Sequence, residues 1–161
     1  MRRGRTWIRV GMGVAVLLVL VGCGVPANPP VVAEPTWDRP QTRTLFFRAC
    51  GDCHSNATVW PWYSRLPLVS ALVVRDVQEG RQKLNVSEWG LREQETEDVA
   101  EVIRNGTMPP ALYLPLHPQA RLSAAEKEAL IQGLERTFGA AGEGVGEYEA
   151  EESDDETDEG D

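Results

Sequence analysis

The chain has 161 residues, enough for one domain of ordinary size, and its 25 acidic against 16 basic side chains give a net charge of −9. An acidic balance disfavours a phosphate-binding surface, so we expect no nucleic-acid partner. The charge is unevenly divided, because residues 1–22 contain four arginines and no acid, whereas residues 139–161 contain eleven acids and no base. The stretch 23–138, with twelve bases and fourteen acids, is nearly neutral.

Residues 1–22 have the order of a secretory signal peptide: arginines first, then an apolar run over residues 10–21. A helix of that length spans about 18 Å, which is too short for a bilayer core. The run ends at Gly22-Cys23-Gly24, which resembles a bacterial lipobox. The resemblance implies cleavage before Cys23 and an acylated sulfur that anchors the chain to a membrane. A plain signal peptide and an uncleaved anchor, each with an incidental cysteine, remain as alternatives.

Residues 23–40 are rich in proline and poor in consecutive apolar residues. Proline removes hydrogen-bond donors and favours extended backbone. We therefore predict a tether here, followed by a folded domain over residues 41–138. The first helix of that domain should be capped by Asp38 and have Pro40 in its first turn, with apolar residues at helical spacing at Leu45, Phe46, Ala49, Cys50 and Cys53.

The remaining two cysteines occur in Cys50-Gly51-Asp52-Cys53-His54. In an exported chain this spacing predicts attachment of one haem c, with Cys50 and Cys53 forming thioethers to the porphyrin and His54 ligating the iron. Three alternatives are a strained disulfide, a redox-active dithiol and a zinc site. The disulfide would close a very small loop, and zinc would need a second pair of ligands.

Three more helices are predicted after this motif. One covers Pro67 to Leu84, and another covers Thr96 to Asn105 with Gly106 as a left-handed stop. The last begins at a capping box of Ser123 and Glu126 and ends at Gly139, and its apolar stripe is Leu130, Ile131, Leu134 and Phe138. No stretch alternates convincingly enough for a strand. We therefore predict a small all-α, cytochrome c-like domain of about four helices.

Residues 107–122 contain four prolines and no periodicity, and a loop of this length in a small domain is usually functional. We predict that the loop covers the distal side of the haem. Met108, in a loop stiffened by Pro109 and Pro110, is the favoured sixth ligand of the iron. His117 is the rival ligand, and an open coordination position is the third possibility.

From Cys50 to about Thr137 the chain resembles the haem-binding domain family of small bacterial c-type haem proteins. The resemblance rests on Cys50-Gly51-Asp52-Cys53-His54-Ser55-Asn56, Thr58-Val59-Trp60-Pro61-Trp62-Tyr63-Ser64, Asp76-Val77-Gln78-Glu79-Gly80-Arg81, Leu84-Asn85, Ser87, Trp89 and Met108-Pro109-Pro110-Ala111-Leu112-Tyr113. It implies covalently bound haem outside the cytoplasm, with Cys50, Cys53 and His54 in their attachment roles.

Further contacts to the cofactor follow from residue type. Trp60, Trp62 and Tyr63 come soon after the proximal histidine and are predicted to pack beside the porphyrin. The haem propionates need charge or hydrogen bonds wherever they are buried. The candidates for that role are Arg65, Arg81 and Asn85, with an ordinary surface position as the alternative for each.

These features predict a lipid-anchored, monomeric protein outside the cytoplasm, in the periplasm or at the cell surface. We expect it to carry one electron between redox proteins. A ligated iron changes oxidation state without binding a substrate, which suits an electron carrier better than an enzyme. A small-ligand sensor or haem-storage lipoprotein and a peroxidase-like enzyme are the alternatives. Residues 139–161 are too acidic and too poor in apolar residues to fold, so they are predicted to be a disordered tail.

Overall fold

The structure, a computed structural model, describes residues 24–142 and the side chains of residues 24–139. The five α-helices within this range are α1 Pro40–Ala49, α2 Gly51–His54, α3 Val69–Lys83, α4 Val99–Arg104 and α5 Ala124–Gly142. Two short 3-10 helices, Trp62–Arg65 and Pro118–Ala120, are inserted between them. The described range contains no strand, only an isolated bridge between Ala33 and Glu88. The prediction of an all-α domain is confirmed.

Helix α1 supplies one side of the core. Leu45, Phe46 and Ala49 are buried at the spacing that the sequence predicts, and Pro40 is the first helical residue. The helix cap is Arg39 rather than Asp38. The carboxylate of Asp38 instead accepts hydrogen bonds from Thr42 Oγ1 and, at 3.0 Å, from Arg136 Nε. Asp38 therefore joins α1 to α5 instead of capping α1.

Helix α5 completes the core. Its predicted capping box is present: Ser123 N–H donates to Glu126 Oε2 at 2.9 Å, and Glu126 N–H donates to Ser123 Oγ at 3.2 Å. The Ser123 N–H and Arg48, which forms a 2.7 Å ion pair with Glu126, lower the pKa of Glu126 to about 2. The predicted stripe is buried: Leu130, Ile131, Leu134 and Phe138. The predicted end at Gly139 is wrong, because the helix continues to Gly142.

Helices α3 and α4 are each shorter than predicted. Val77 of α3 is buried, but Leu72 is 56% exposed and Leu68, just before the helix, is 87% exposed. Leu68 also has φ +70°, a conformation that is sterically unfavourable for a leucine. Gly106, after α4, has φ +78°, as expected of a left-handed stop. The apolar side chains of this part of the chain are thus only partly covered by protein.

The described part of the predicted tether makes hydrogen bonds to the domain. Asn28 Nδ2 donates to Thr58 O at 2.8 Å, and the N–H groups of Val32 and Ala33 donate to Ser87 O at 2.9 and 3.2 Å. Glu34 accepts two 2.7 Å hydrogen bonds from Arg43 of α1. We call residues 28–37 the docked segment. Its extended, proline-rich backbone leaves N–H and C=O groups available, and the domain supplies their partners.

Other predictions fall outside the described residues. These are the signal peptide, the lipidated Cys23 and the acidic tail. Within residues 24–142, no helix has the length and apolar character needed to cross a membrane.

Candidate functional site

The Cys50–His54 motif consists of the break between α1 and α2, at Cys50, and of α2 itself. Cys50 leaves the helical conformation, with φ −124° and ψ −25°, and its carbonyl accepts from the N–H groups of Cys53 at 3.1 Å and His54 at 3.0 Å. This short turn holds both cysteines and the histidine next to one another. Gly51 is buried, and a Cβ at that position would approach Phe47 Cδ1 to 2.9 Å.

Both thiols are free and sit in apolar surroundings. Burial raises the pKa of Cys50 to about 12. Burial and the carboxylates of Asp52 and Asp76 together raise the pKa of Cys53 to about 11. The structure thus shows no disulfide between them. Among the side chains of residues 24–139, no group of three or more His, Cys, Asp and Glu residues could hold a bare metal ion. Neither the disulfide nor the zinc alternative is therefore supported.

His54 is oriented by the segment that follows α3. Its Nδ1 lies 3.1 Å from Leu84 O, and its own carbonyl accepts from Val86 N–H at 3.0 Å. Burial lowers the pKa of His54, so the ring is neutral at pH 7. A neutral imidazole that donates from Nδ1 to a carbonyl has its lone pair on Nε2. This is the tautomer that a metal requires, and the carbonyl fixes the orientation of the ring.

Gly80 allows α3 to approach the motif. A Cβ at Gly80 would lie 2.7 Å from Cys53 O and 3.0 Å from Cys53 Cβ, closer than van der Waals contact permits. The close packing of α3 on Cys53 therefore requires a glycine at position 80. One turn earlier on the same stripe, Asp76 is close enough to affect Cys53 electrostatically.

Asn85 and Arg81, two of the predicted propionate contacts, make hydrogen bonds within the protein. Asn85 is buried, with Nδ2 donating to Asn56 Oδ1 at 2.9 Å and Oδ1 accepting from Ser87 N–H at 3.1 Å. Arg81 Nε donates to Ser55 O at 2.9 Å, and its NH2 group donates to Thr58 Oγ1 and Asn28 Oδ1. These contacts fasten the chain after His54 to α3 and to the docked segment. Arg65 is exposed.

The loop over residues 107–122 reaches back to the motif through Tyr113. The Tyr113 hydroxyl donates to Asp52 Oδ2 at 2.7 Å, and burial together with this carboxylate raises the pKa of Tyr113 well above its ordinary value. His117 is buried and stacked on Tyr113, with ring centroids 3.7 Å apart and planes inclined by 10°. Its Nδ1 lies 3.0 Å from Tyr113 O and its Nε2 lies 3.3 Å from the Tyr63 hydroxyl.

Met108 begins the same loop. Its N–H donates to Val102 O at 2.9 Å, which ties the start of the loop to α4, and its side chain is partly buried. Both ring nitrogens of His117 already have neighbours within the protein. The order of the two candidate ligands, Met108 before His117, stays a prediction.

Large apolar side chains stay exposed on segments that contact the motif. Trp62 is 73% exposed and packs edge-on against Tyr63, with ring centroids 5.8 Å apart. Val59 is exposed although its N–H is held by Asp52 Oδ1 at 2.9 Å. Trp60 is half-buried, and within the described residues its Nε1 is buried without a hydrogen-bond partner. We name as the open face the side chains of Val59, Trp62, Leu66, Leu68, Leu72, Leu112 and Leu116.

A family model, the haem-binding domain, matches residues 16–136, about three quarters of the chain. The chain belongs to the haem-binding domain family. This haem protein therefore has the cofactor class that its cysteine and histidine spacing predicts. The family match starts before the docked segment, so that segment is part of the family's domain. Comparison with curated proteins and with solved structures found no match.

The residues of this haem-binding domain fit their cofactor. Cys50, Cys53 and His54 are grouped on one turn, and the open face offers apolar side chains for which residues 24–139 provide no cover. Leaving that many large apolar groups in water is unfavourable by about 25 cal/mol per Å². A porphyrin is a large apolar plate, and it would remove this surface from water.

Sequence reasoning missed several residues that build the site. Asp52 and Tyr113 join the motif to the distal loop, and Asn56 and Ser87 join it to the chain after α3. The position of Asp52 between the two cysteines was a signal that could have been used. Tyr113 carried no local signal, because its partner is distant in sequence.

Proposed function

We propose that this haem-binding domain holds one covalently attached haem c and carries single electrons outside the cytoplasm. The observation that carries the proposal is the arrangement of the motif. Two free thiols share one turn with a buried imidazole whose Nδ1 is held by Leu84 O, 3.1 Å away. Cys50 and Cys53 are the attachment residues, and His54 is the proximal ligand.

Attachment should occur before or during folding. Thioether formation needs nucleophilic sulfur, and the thiolate is the nucleophilic form of cysteine. In the folded chain the raised pKa values of Cys50 and Cys53 keep both thiols protonated at neutral pH. In an unfolded chain the ordinary thiol pKa of about 8.5 gives far more thiolate.

Met108 is the proposed sixth ligand. When bound, a haem with histidine and methionine ligands supplies reversible one-electron chemistry at a raised potential. His54 keeps one tautomer, the loop over residues 107–122 is fastened to Asp52, and Met108 stands at the start of that loop. These residues keep the site rigid, as an electron carrier requires.

The arrangement of His117 supports a carrier over a peroxidase-like enzyme. Peroxide chemistry needs an acid–base group that can exchange protons above the iron. His117 is the one histidine of the distal loop, and its ring is buried, stacked on Tyr113 and flanked by Tyr63.

The location of the protein is part of the same proposal. The lipobox-like sequence at Cys23 supports a lipid anchor on an exported protein, in the periplasm or at the cell surface. The nearly neutral domain and the acidic residues 139–161 suit a monomer that meets a redox protein with a basic surface. High salt should then slow electron transfer to that partner.

Spectra of the purified holoprotein, recorded oxidised and reduced and with and without carbon monoxide, test the proposal. A carrier gives low-spin spectra, refuses the gas and keeps its haem through acidified organic extraction. Met108→Ala should abolish the long-wavelength absorption band of methionine-ligated ferric haem, whereas His117→Ala should leave it. Ready gas binding by the unaltered protein with a high-spin ferric form would contradict electron transfer and favour the sensor. Extractable haem would contradict covalent attachment.

A further inference from the structure

We propose that Tyr113 is a positioning residue that latches the distal loop, residues 107–122, onto the attachment motif through Asp52. The inference rests on the proposed haem attachment at Cys50 and Cys53. The inference adds a hydrogen bond that controls how often the distal side of the haem is open to small molecules. We call the hydrogen bond from Tyr113 to Asp52 the latch.

Asp52 is built to hold this contact. Its Oδ1 accepts from Val59 N–H at 2.9 Å and its Oδ2 accepts from the Tyr113 hydroxyl at 2.7 Å. Within the described residues, no cation lies within ion-pair distance of Asp52. The backbone donor fixes the carboxylate, and the phenol is the side chain that satisfies its other oxygen. Hydrogen bonds to a carboxylate are stronger than those between neutral groups.

The contacts of His117 with Tyr113 and Tyr63 stabilise the latch. The ring of His117 is stacked on Tyr113, and its Nδ1 is 3.0 Å from the carbonyl of the same tyrosine. The Tyr63 hydroxyl, from the 3-10 helix after the motif, lies 3.3 Å from His117 Nε2. The loop is therefore held at two points, directly at Asp52 and indirectly at Tyr63.

The latch acts on Met108 because Met108 and Tyr113 belong to the same loop. Met108 comes earlier in the loop, where its N–H is bonded to Val102 O. The latch therefore holds the loop at Tyr113, after its attachment to α4 at Met108. Breaking it leaves only the indirect contact at Tyr63 between the loop and the segment after the motif. The loop then opens more often while the haem stays attached at Cys50 and Cys53.

The test is amide hydrogen exchange and carbon monoxide uptake by the full-length holoprotein and its Tyr113→Phe variant. The amides of Tyr113, Leu116 and His117 are bonded within the loop and report its opening. Loss of a hydrogen bond to a carboxylate corresponds to an increase in opening of about tenfold to a hundredfold. We expect that increase in the exchange of these amides, none in helix α5, and faster gas uptake with a weaker methionine band.

The matched control is Tyr63→Phe, which removes a hydroxyl from the same cluster but leaves the latch. It should raise loop exchange by less than Tyr113→Phe does. Asp52→Ala should reproduce the Tyr113→Phe effect, and the double variant should add nothing to it. Unchanged loop exchange in Tyr113→Phe, or equal effects of Tyr63→Phe, would overturn the latch. Exchange reports the loop whatever the sixth ligand is, so failure of the carrier proposal stays distinguishable.

Discussion

The core and the open face contain the same kinds of residue in opposite environments. In the core, Leu130 and Phe46 are almost completely shielded by neighbours from α1, α5 and the chain after α3. On the open face, Leu68, Leu72 and Trp62 have no such neighbours and remain in solvent. The core is complete without a cofactor, whereas the open face is not.

The difference separates residues that form the core from exposed apolar residues that we propose the haem covers. Exposed single leucines are common and need no explanation, but a set carried on segments next to one motif does. Each of those segments is itself tied to the motif, Val59 through Asp52 and the distal loop through Tyr113. Substitutions of the same type in the core and on the open face test this difference.

The largest effect is expected from truncating leucines in the two regions. In the holoprotein, Leu130→Ala should lower the free energy of unfolding by about 3 kcal/mol, because it opens a cavity in a sealed core. Leu72→Ala should lower it by about 1 kcal/mol, because Leu72 lies one turn from Asp76 on the side of α3 that passes Cys53. Urea unfolding followed by circular dichroism measures both.

Leu91 is the matched control for Leu72. It is 62% exposed and lies in the turns between α3 and α4. Leu91→Ala should change the free energy of unfolding by less than about 0.5 kcal/mol. If Leu72→Ala proves as silent as Leu91→Ala, the haem does not cover that part of the open face.

A smaller effect is expected where α3 meets the motif. Gly80→Ala should lower the free energy of unfolding by about 1–3 kcal/mol, since the new Cβ overlaps the backbone of Cys53. Gly139→Ala is the control, because a Cβ there meets nothing within 4 Å. In a helix that change should stabilise the protein, by up to about 1 kcal/mol. Thermal unfolding of the holoproteins measures both changes. If both stabilise the protein, the close approach of α3 to Cys53 is refuted.

The smallest effect concerns the backbone that presents Leu68. Leu68→Gly and Leu68→Ala both remove the exposed side chain, but alanine keeps a Cβ at φ +70°. The glycine variant should therefore be the more stable by about 1 kcal/mol, the reverse of the usual order. Denaturant midpoints of the two variants compare them directly. A more stable alanine variant would mean that this backbone conformation is not kept.

Much of the fold could be predicted, because its determinants are local. The spacing of Leu45, Phe46 and Ala49 identifies the buried side of α1, and Ser123 with Glu126 marks the start of α5. The motif likewise contains the two proposed attachment cysteines and the proposed proximal ligand within five positions. Periodicity and short-range capping are visible in a sequence without any knowledge of what packs against them.

The remainder depends on contacts between distant residues. The docked segment is held by hydrogen bonds such as that between Asn28 and Thr58, and no periodic sequence pattern predicts such bonds. Glycine has a low helix propensity, yet Gly80 is needed in α3 because Cys53 lies against it. The partners of Arg81 and Asn85 within the protein, such as Ser55 O and Asn56 Oδ1, are likewise distant in sequence, so residue type alone did not predict them.

The docked segment also sets how the domain can stand on a membrane. With a lipid on Cys23, as proposed, the chain is already fastened to the domain at Asn28, and even a fully extended link between them reaches at most about 18 Å. A domain of this size is about 30 Å across, so it cannot turn over on so short a link. On that proposal the side around Asn28, Thr58 and Arg81 would face the lipid, and an electron partner would approach along the membrane surface or from the opposite side.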